Sequence, residues 1–483
     1  MGHKDFRAYL DALEAHGELH RVSAEVDWDL EIGAVSRRAL DRRAPALLFE
    51  NVKGYPSTHR VAANFFGPGT EHRHARMAIA MGLPPSTPVH DLIAEFRARV
   101  RDAVPPVTVP TAPCKEVIVT GDDIDVLSLP VPLIHATDGG RYIGTWHVDV
   151  TRDPDSDWTN WGMYRHMVLD RGSVGWMSSP AQHGMGHYLR KHEARGEPMP
   201  IAIALGTDPI TSVIAGSQMP AYIDDAAVAG GVNGEPVELV RCETVDLKVP
   251  ASAEIVLEGY VHPHEREMEG DFGEFTGYAA GGQHPRPVVR LTAVTMRRDP
   301  ILTMTNPGKP WEDYSVIASV TMSALLANDL EDRAVPFTGV YVPPPIMSVV
   351  VGVPPLYPGI VHTVADAIWS SKAGIYRPYI IAVGEDVDVT DMDDVFWAMT
   401  TRLHPERGVH VRRRTPALQL WPFLTPEEHD ARIGAKLLLD ATFPVERPAE
   451  TIPTAIDFGT AWPEDVRRRV LDRWDEYGFE SQP

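Results

Sequence analysis

The central stretch of the chain, residues 115–305, is built of short segments rich in β-branched residues and separated by Gly, Pro or Asp, such as KEVIVTG, RYIGTWHVDVTRD, SAEIVLEGYV and VVRLTAVTMRRD. Segments of this length and composition are typical of β-strands. Helical pieces interrupt them, notably GMGHYLRKHEARG. Strands and helices mixed in this way predict a mixed sheet or an open barrel, and this stretch constrains the fold more than any other.

The segments on either side of this stretch predict further units. Phe6, Tyr9, Leu10 and Leu13 recur at helical spacing, with Asp5 as the N-cap and Gly17 as the stop. The proline-rich segment PPVTVPTAP, residues 105–113, predicts an extended linker. Later, EDYSVIASVTMSALLANDL predicts a long helix, after which strand and helix patterns alternate.

These patterns predict an α/β protein of the mixed α+β kind. We expect an N-terminal α/β unit at 1–112, the β-rich unit at 113–327, a C-terminal α/β unit at 328–445 and a tail rich in proline and charge at 446–483. A length of 483 residues agrees with two to four domains.

The charge of the chain limits its partners. The formal net charge is -22, from 67 acidic and 45 basic residues. Such a field repels nucleic acid and anionic lipid, so we expect neither as a partner. An anionic substrate would need a local cationic pocket. Two cysteines, no apolar signal segment and no apolar stretch of about 18 residues predict a soluble, cytoplasmic protein.

Two glutamates in Glu269-Gly-Asp-Phe-Gly-Glu274 form a candidate acid–base pair. Carboxylates five apart point to opposite faces of a regular strand, but Gly270 and Gly273 permit a bend that turns both inward. A shared site would push their pKa values apart. From spacing alone, a solvated acidic turn is the favoured interpretation, and a functional pair could equally be that of a glycosidase.

Arg165 and several histidines are further candidates with ordinary alternatives. Arg165 lies five residues beyond Asn160 and has the planar fork that suits a carboxylate, although a lone arginine is commonly a surface ion-pair partner. His183 and His187 share i, i+4 spacing, and His262 and His264 alternate along a strand. Each histidine pair alone is typical of polar surface.

Several familiar motifs are either incomplete in this sequence or absent from it. The acidic segment 385–394 lacks the sixth-position glycine and the closing glutamate of a calcium loop, so Asp391 or Asp393 is interpreted as a helix cap. The sequence contains neither a GxGxxG that follows a strand and opens a helix nor a Walker A or GxSxG motif. This disfavours a dinucleotide enzyme, an ATP enzyme and an α/β-hydrolase.

The chain resembles the UbiD family of prenylated-FMN-dependent decarboxylases nearly from end to end. The resemblance rests on several motifs in the family's order: LLFENVKGYP, TNWGMYRHMVLD, PAQH, GTDP, VPASAEIVLEGYV, EGDFGEFTGY, DVFWAMTTR and GAKLLLDAT. It implies a central flavin- and metal-binding domain like a split β-barrel, which holds the catalytic residues, and a C-terminal α/β oligomerisation domain.

The resemblance also implies roles for individual residues. Arg165, Glu269 and Glu274 fall on the family's catalytic Arg-Glu-Glu set. The metal ligands fall on Asn160, His183 and Asp225, and the last departs from the family pattern, which has glutamate there. The shorter aspartate requires a closer ion, an intervening water or help from neighbouring Asp224. Flavin-binding positions and the substrate pocket complete the assignment: Asn160, Trp161, Arg165, Gln182, His183, Ser217 and Met219 for the flavin, and Gln182 with Phe275 for the substrate.

The function implied by the resemblance is non-oxidative release of CO2 from an α,β-unsaturated or (hetero)aromatic carboxylic acid. The expected cofactors are prenylated FMN, Mn²⁺ or Mg²⁺, and K⁺, with a flavin prenyltransferase as supplier. The substrate joins the flavin covalently, and Glu274 donates the proton that replaces CO2. A homodimer or higher homo-oligomer is expected. The alternatives are a hydroxybenzoate-type aryl decarboxylase and a non-catalytic flavin-binding assembly protein, which the intact Arg-Glu-Glu set disfavours.

Overall fold

Residues 2–280 and 282–479 are described by a computed structural model of the chain. Met1, Gly281 and residues 480–483, the end of the predicted tail, lie outside the described residues. The first helix spans Phe6–Ala15, and the Asp5 carboxylate accepts a hydrogen bond from the Ala8 backbone N–H at its start. Gly17 follows its end with a φ of +71°. Both predicted ends of this helix are confirmed.

The helices, in chain order, are α1 Phe6–Ala15, α2 Glu31–Asp41, α3 Ala75–Ala80, α4 Val89–Arg99, α5 His183–His187, α6 Glu193–Arg195, α7 Pro209–Gly216, α8 Asp225–Asn233, α9 Asp313–Asp332, α10 Ile360–Ser370, α11 Met392–Arg402, α12 Pro426–Ala431 and α13 Glu464–Asp472. The predicted long helix is α9. Asp391 caps α11 by accepting hydrogen bonds from two backbone N–H groups, as expected from the acidic segment. None of the helices in the described part of the chain is long and apolar enough to cross a bilayer.

The strands, in the same order, are β1 Leu19–Val22, β2 Ala46–Phe49, β3 Arg60–Ala63, β4 Val107–Thr108, β5 Val117–Thr120, β6 Tyr142–Gly144, β7 His147–Arg152, β8 Thr159–Gly162, β9 His166–Asp170, β10 Ser173–Gly175, β11 Met199–Leu205, β12 Glu238–Arg241, β13 Lys248–Pro250, β14 Ile255–Glu269, β15 Phe272–Gly273, β16 Ala279–Ala280, β17 His284–Met296, β18 Ile301–Met304, β19 Gly339–Tyr341, β20 Ser348–Gly352, β21 Tyr379–Val383, β22 Val409–Pro416 and β23 Ile433–Ala441.

The central unit is a large antiparallel sheet with the order β6-β9-β10-β17-β14-β11-β7-β8, and β5 pairs with β17. Its two longest strands, β14 and β17, pair along most of their length, with register shifts after Glu258 and after Val261. Bulges of this kind bend a strand and increase its twist. The sheet curls into a half-barrel, so the prediction of a mixed α/β fold with a split-barrel centre is confirmed.

The first two units are joined by strands of one unit that pair with strands of the other. The N-terminal sheet has the order β1-β2-β3-β18, so a strand from beyond the half-barrel completes it. The segment predicted as a linker contributes β4, which pairs in parallel with β12. The domain bounds stay a prediction, and these two pairings bind the first unit to the second.

The C-terminal unit is a five-stranded sheet, β19-β20-β21-β23-β22, whose three middle strands are parallel. Helix α9 precedes it and is buried almost all round. One side of α9, including Val316 and Val320, packs in a core cluster that contains residues of all three units. Another side, including Met322 and Leu326, packs in the core of the C-terminal unit. A helix that is apolar on several faces belongs in an interior, and α9 connects the two cores.

Candidate active site

A cavity of about 510 Å³ lies between the half-barrel and the C-terminal unit. This volume is within the ordinary range of cofactor and ligand sites. The half-barrel contributes residues 160–165, 177–183 and 215–219 together with Phe272, Glu274 and Phe275, and the C-terminal unit contributes residues from 372–377, 416–420 and Arg432.

Arg165 joins the two candidate glutamates at the wall of this cavity. Its Nε and Nη2 donate to the two carboxylate oxygens of Glu269 at 2.9 and 3.2 Å, and its Nη1 donates to Glu274 Oε1 at 2.8 Å. The side chains of Arg165, Glu269 and Glu274 are 6%, 1% and 12% exposed. The two carboxylates are therefore a buried pair bridged by one guanidinium and do not form a solvated turn.

The local chain path explains how carboxylates five residues apart converge. Glu269 is the last residue of β14, and Glu274 follows the short strand β15. A Cβ on Gly270 would lie 2.4 Å from the Cα of Gly139, and one on Gly273 would lie 2.5 Å from the His135 ring. Neither glycine has a positive φ. Both carboxylates do turn inward to Arg165, as expected. The glycines contribute by allowing close packing of the segment against its neighbours, and neither needs a left-handed backbone.

The two glutamates differ in their surroundings. Glu274 lines the cavity, whereas Glu269 lies behind the guanidinium, with Arg286 Nε 3.6 Å from its Oε2. Burial raises the pKa of Glu274 to about 7, although the positive charge of Arg165 acts in the opposite direction. A carboxyl group with this pKa exchanges protons at neutral pH, which suits a general acid.

Asn160 and His183, two of the predicted metal ligands, lie side by side. Asn160 is on β8 and His183 begins α5, and Asn160 Oδ1 is 3.2 Å from His183 Nδ1. Two adjacent ligands of an octahedral ion at ~2.1 Å would be about 3.0 Å apart. The Asn160 Nδ2 is buried without a hydrogen-bond partner among the described residues. Burial and nearby Lys372 lower the pKa of His183 to about 4, so its ring is neutral and able to ligate.

Asp225, the third predicted ligand, is connected to this pair through the backbone of Trp161, the residue after Asn160. It begins α8, and its Oδ2 accepts a hydrogen bond from the backbone N–H of Trp161 at 2.8 Å. Asp225 does not line the cavity, and burial raises its pKa to about 7. Neighbouring Asp224 caps α8 with its Oδ1, which accepts from Ala226 and Ala227. The structure thus positions Asp225 against β8, while Asp224 already has a structural role.

The remaining predicted residues line the cavity. They are Trp161, Gln182, Ser217, Met219 and Phe275. The Ser217 hydroxyl donates to the Val213 carbonyl oxygen at 2.7 Å. The Phe275 ring packs edge-on against Tyr314, with 5.6 Å between ring centroids. All the residues predicted for flavin and substrate binding are therefore gathered around one cavity.

Sequence reasoning missed a buried polar cluster at the same wall. His147, Asp149 and His166 place one candidate ligand atom each within 4.8 Å of one another. His166 Nε2 lies 2.9 Å from Asp149 Oδ1, and its Nδ1 lies 3.0 Å from the Gly175 carbonyl oxygen. His147 lines the cavity. The three residues come from β7 and β9, and no local spacing in the sequence marks them as a group.

A second missed feature is the charge of the cavity. The described lining residues include one carboxylate, Glu274, and six cationic side chains, which are Arg165, Arg190, Arg286, Lys372, Arg377 and Arg432. The last three come from the C-terminal unit. A local cationic pocket was expected for an anionic ligand in this acidic chain, but the residues that supply it were not identified from the sequence.

Family comparisons cover the three units. Residues 10–96, 106–310 and 315–441 match models described as the N-terminal, Rift-related and C-terminal domains of 3-octaprenyl-4-hydroxybenzoate carboxy-lyase, UbiD. Among characterised proteins, the chain is 34% identical over 488 residues to a pyrrole-2-carboxylic acid decarboxylase of Pseudomonas aeruginosa, covering 98% of both proteins.

Solved structures with the same architecture include two enzymes. The vanillic acid decarboxylase of Sedimentibacter hydroxybenzoicus in its closed form is 30% identical, with a TM-score of 0.89 over 99% of this chain and 100% of that chain. Its open form gives a TM-score of 0.83. The UbiD-class enzyme HmfF of Pelotomaculum thermopropionicum, in complex with FMN, is 31% identical, with a TM-score of 0.80 over 94% and 97% of the chains. An evolved dimeric form of HmfF was solved in complex with prFMN.

Proposed function

The chain belongs to the UbiD family of carboxy-lyases, and on that premise we propose that it is a prenylated-FMN-dependent decarboxylase that releases CO2 from an α,β-unsaturated or (hetero)aromatic carboxylic acid without net oxidation. One observation carries the proposal: Arg165 bridges two buried glutamates, of which Glu274 alone lines the cavity and has a pKa raised to about 7. The pyrrole-2-carboxylic and vanillic acid decarboxylases support an aromatic or heteroaromatic acid.

The cavity fits the proposed cofactor and its ions. Asn160 Oδ1 and the His183 ring offer neighbouring ligand atoms, and Asp225 accepts a hydrogen bond from Trp161, the residue after Asn160. Oxygen and imidazole ligands suit Mn²⁺ or Mg²⁺, which would tie a flavin phosphate to the half-barrel. We propose K⁺ as a second ion of the cofactor site, and Ser217 and Met219, which line the cavity, as flavin contacts. When bound, the modified flavin supplies the electron sink for the breaking C–C bond.

The protein's own residues supply orientation and the proton. Arg165 is fixed by two charge-assisted hydrogen bonds to Glu269, and its Nη1 donates to Glu274 and to the Ala280 carbonyl oxygen. Its remaining Nη2 N–H is the donor for the substrate carboxylate. When the carbon–carbon bond to the carboxylate breaks and CO2 leaves, the proton of Glu274 is transferred to that carbon. The Glu274 carboxylate left behind accepts from Arg165 Nη1 at 2.8 Å, which stabilises its charge until it takes a new proton from water.

A hydroxybenzoate-type aryl decarboxylase is the second candidate. The observation in its favour is the similarity to the vanillic acid decarboxylase, whose closed form has a TM-score of 0.89 with this chain. Both candidates use the same site and differ in the acid that enters it. A non-catalytic flavin-binding assembly protein is the candidate of another class.

We also propose how the protein is assembled and supplied. A flavin prenyltransferase provides the cofactor. Phe396 and Trp397 on α11 and Val411 on β22 are 64%, 40% and 55% exposed, which supports a homodimer or higher homo-oligomer formed through the C-terminal unit. Cys114 and Cys242 are free thiols, as is usual in the reducing cytoplasm.

The test is production of the protein with and without a flavin prenyltransferase, followed by a CO2-release screen of cinnamic, hydroxybenzoic, pyrrole, indole and polycyclic acids. We expect a modified-flavin absorption spectrum and CO2 release only after co-production. Binding of the modified flavin with no CO2 from any acid would favour the assembly protein. Release from hydroxybenzoic acids alone would favour the aryl decarboxylase.

A further inference from the structure

Arg377 is a buried cation without a counter-ion among the described residues. It is 5% exposed and lines the cavity. In the described part of the chain, the hydrogen-bond acceptor of its guanidinium is the sulfur of Met322, 2.9 Å from Nη2, and its Nε has no partner. Its backbone is well held, because its carbonyl oxygen accepts from Trp369 Nε1 at 2.9 Å.

Such an arrangement is unfavourable in a protein without a ligand. Burial lowers the pKa of Arg377, but a guanidinium stays charged at neutral pH. A buried charge is normally paired with a carboxylate or satisfied by several acceptors. Arg165, in the same cavity, has two carboxylates as partners. The missing partner of Arg377 is therefore expected to be a ligand anion.

The contacts of Arg377 differ from those of Lys372, the cation beside the predicted metal ligand His183. Lys372 Nζ donates to the carbonyl oxygen of Ala181 at 3.4 Å and lies close enough to His183 to lower its pKa, so this lysine faces the metal ligands. Arg377 instead contacts Met322 on α9.

Tyr314 connects Arg377 to the acid–base residues. Its phenol interacts electrostatically with the Arg377 guanidinium and hydrogen-bonds to Gln218. On its other side Tyr314 packs against Phe275, the residue next to Glu274. A molecule held between Glu274 and Arg377 would thus lie along two aromatic rings, as an unsaturated or aromatic acid would.

We propose that Arg377 binds a second anionic group of the substrate, so that the preferred acids carry one carboxylate for Arg165 and another carboxylate or phenolate for Arg377. The proposal rests on the proposed function and names its substrate class. A dianionic acid agrees with a cavity that has six cations and one carboxylate among its described lining residues, in a chain of net charge -22.

The test compares matched acids with one and two anionic groups. We suggest cinnamate against 3- and 4-carboxycinnamate, and pyrrole-2-carboxylate against pyrrole-2,5-dicarboxylate, with enzyme loaded with modified flavin. The variants are Arg377→Met, which keeps the length without the charge, and Arg377→Lys, which keeps the charge without the fork. Arg38→Met, at an exposed position on α2, is the matched control.

For the wild-type protein we expect a higher kcat/KM for the diacid of at least one pair. Arg377→Met should lower the diacid-to-monoacid ratio of kcat/KM about 10- to 150-fold, the range for a charge-assisted hydrogen bond. The diacid-to-monoacid ratio of Arg377→Lys should lie between those of the wild type and Arg377→Met. Arg38→Met should leave the ratio unchanged. A ratio that Arg377→Met does not move would overturn the proposal.

Two further measurements separate the possible failures. Loss of the flavin spectrum in Arg377→Met would assign the guanidinium to the cofactor and overturn the substrate assignment. If wild-type protein releases no CO2 from any acid, the proposed function fails, but equilibrium binding of the same pairs still tests Arg377. Diacid binding weakened in Arg377→Met but not in Arg38→Met would support the site, and equal binding would refute it. If Arg377→Met does not fold, the diacid-to-monoacid comparison is made with Arg377→Lys, and an unchanged ratio in that variant would refute the proposal.

Discussion

Replacing Glu274 by glutamine removes the transferable proton and keeps the size of the side chain. The amide oxygen of glutamine can still accept from Arg165 Nη1, which lies 2.8 Å from the carboxylate, and Arg165 retains its two bonds to Glu269. We therefore expect the unfolding free energy to change by no more than about 1–2 kcal/mol, the size of one hydrogen bond to a charged group. Loss of a general acid should lower kcat about 10²- to 10⁴-fold, or about 3–5 kcal/mol in activation free energy.

The assay for this variant follows CO2 release and the flavin spectrum together. Glu274→Gln should bind modified flavin as the wild type does while decarboxylation falls by the stated factor. Glu267→Gln is the matched control, because Glu267 is exposed on the same strand, β14, two residues before Glu269. Normal decarboxylation by Glu274→Gln would refute the reasoning, since the cavity contains no other carboxylate among its described lining residues.

Three further predictions concern the same site. Arg165→Ala leaves the Glu269 carboxylate, 1% exposed, without its main partner, so chemical denaturation should show a loss of about 3–5 kcal/mol, and the flavin spectrum should differ from that of the wild type. The pKa of Glu274 is raised to about 7, so its acid form is present below that pH. We therefore expect kcat/KM to fall tenfold per pH unit above about 7. A kcat/KM that stays constant up to pH 9 would contradict the role of Glu274 as the acid. His183→Ala should lower bound manganese and retained flavin, measured by elemental analysis and absorbance, whereas His264→Ala, at a side chain 79% exposed, should not.

Local features of the fold could be predicted from the sequence because a few neighbouring residues determine them. Asp5 at the start of α1, Asp391 at the start of α11 and the apolar length of α9 are examples. The pairing of β18 with β3 could not be predicted, because the two strands are separated by more than 200 residues and their local composition does not specify a partner. The same holds for β4, which the prolines around it made resemble a linker.

The candidate site divides in the same way. Arg165 is 104 and 109 residues away from Glu269 and Glu274, so spacing along the chain could not bring them together, and only the resemblance did. The geometry then distinguished the two carboxylates by their exposure to the cavity. Arg377 was missed because it is next to a proline at the start of a strand, where an arginine has no distinctive pattern. Arg377 is notable because its buried guanidinium has no carboxylate partner among the described residues, which only the three-dimensional structure shows.

The most direct test of the proposed reaction is decarboxylation in D2O by flavin-loaded protein with oxygen excluded. We expect CO2 and product in equal amounts, with one deuterium at the carbon that carried the carboxylate, and loss of this reaction in Glu274→Gln. A product that forms only with oxygen, or the absence of CO2 from every acid in the screen, would contradict the proposal that this chain is a non-oxidative decarboxylase.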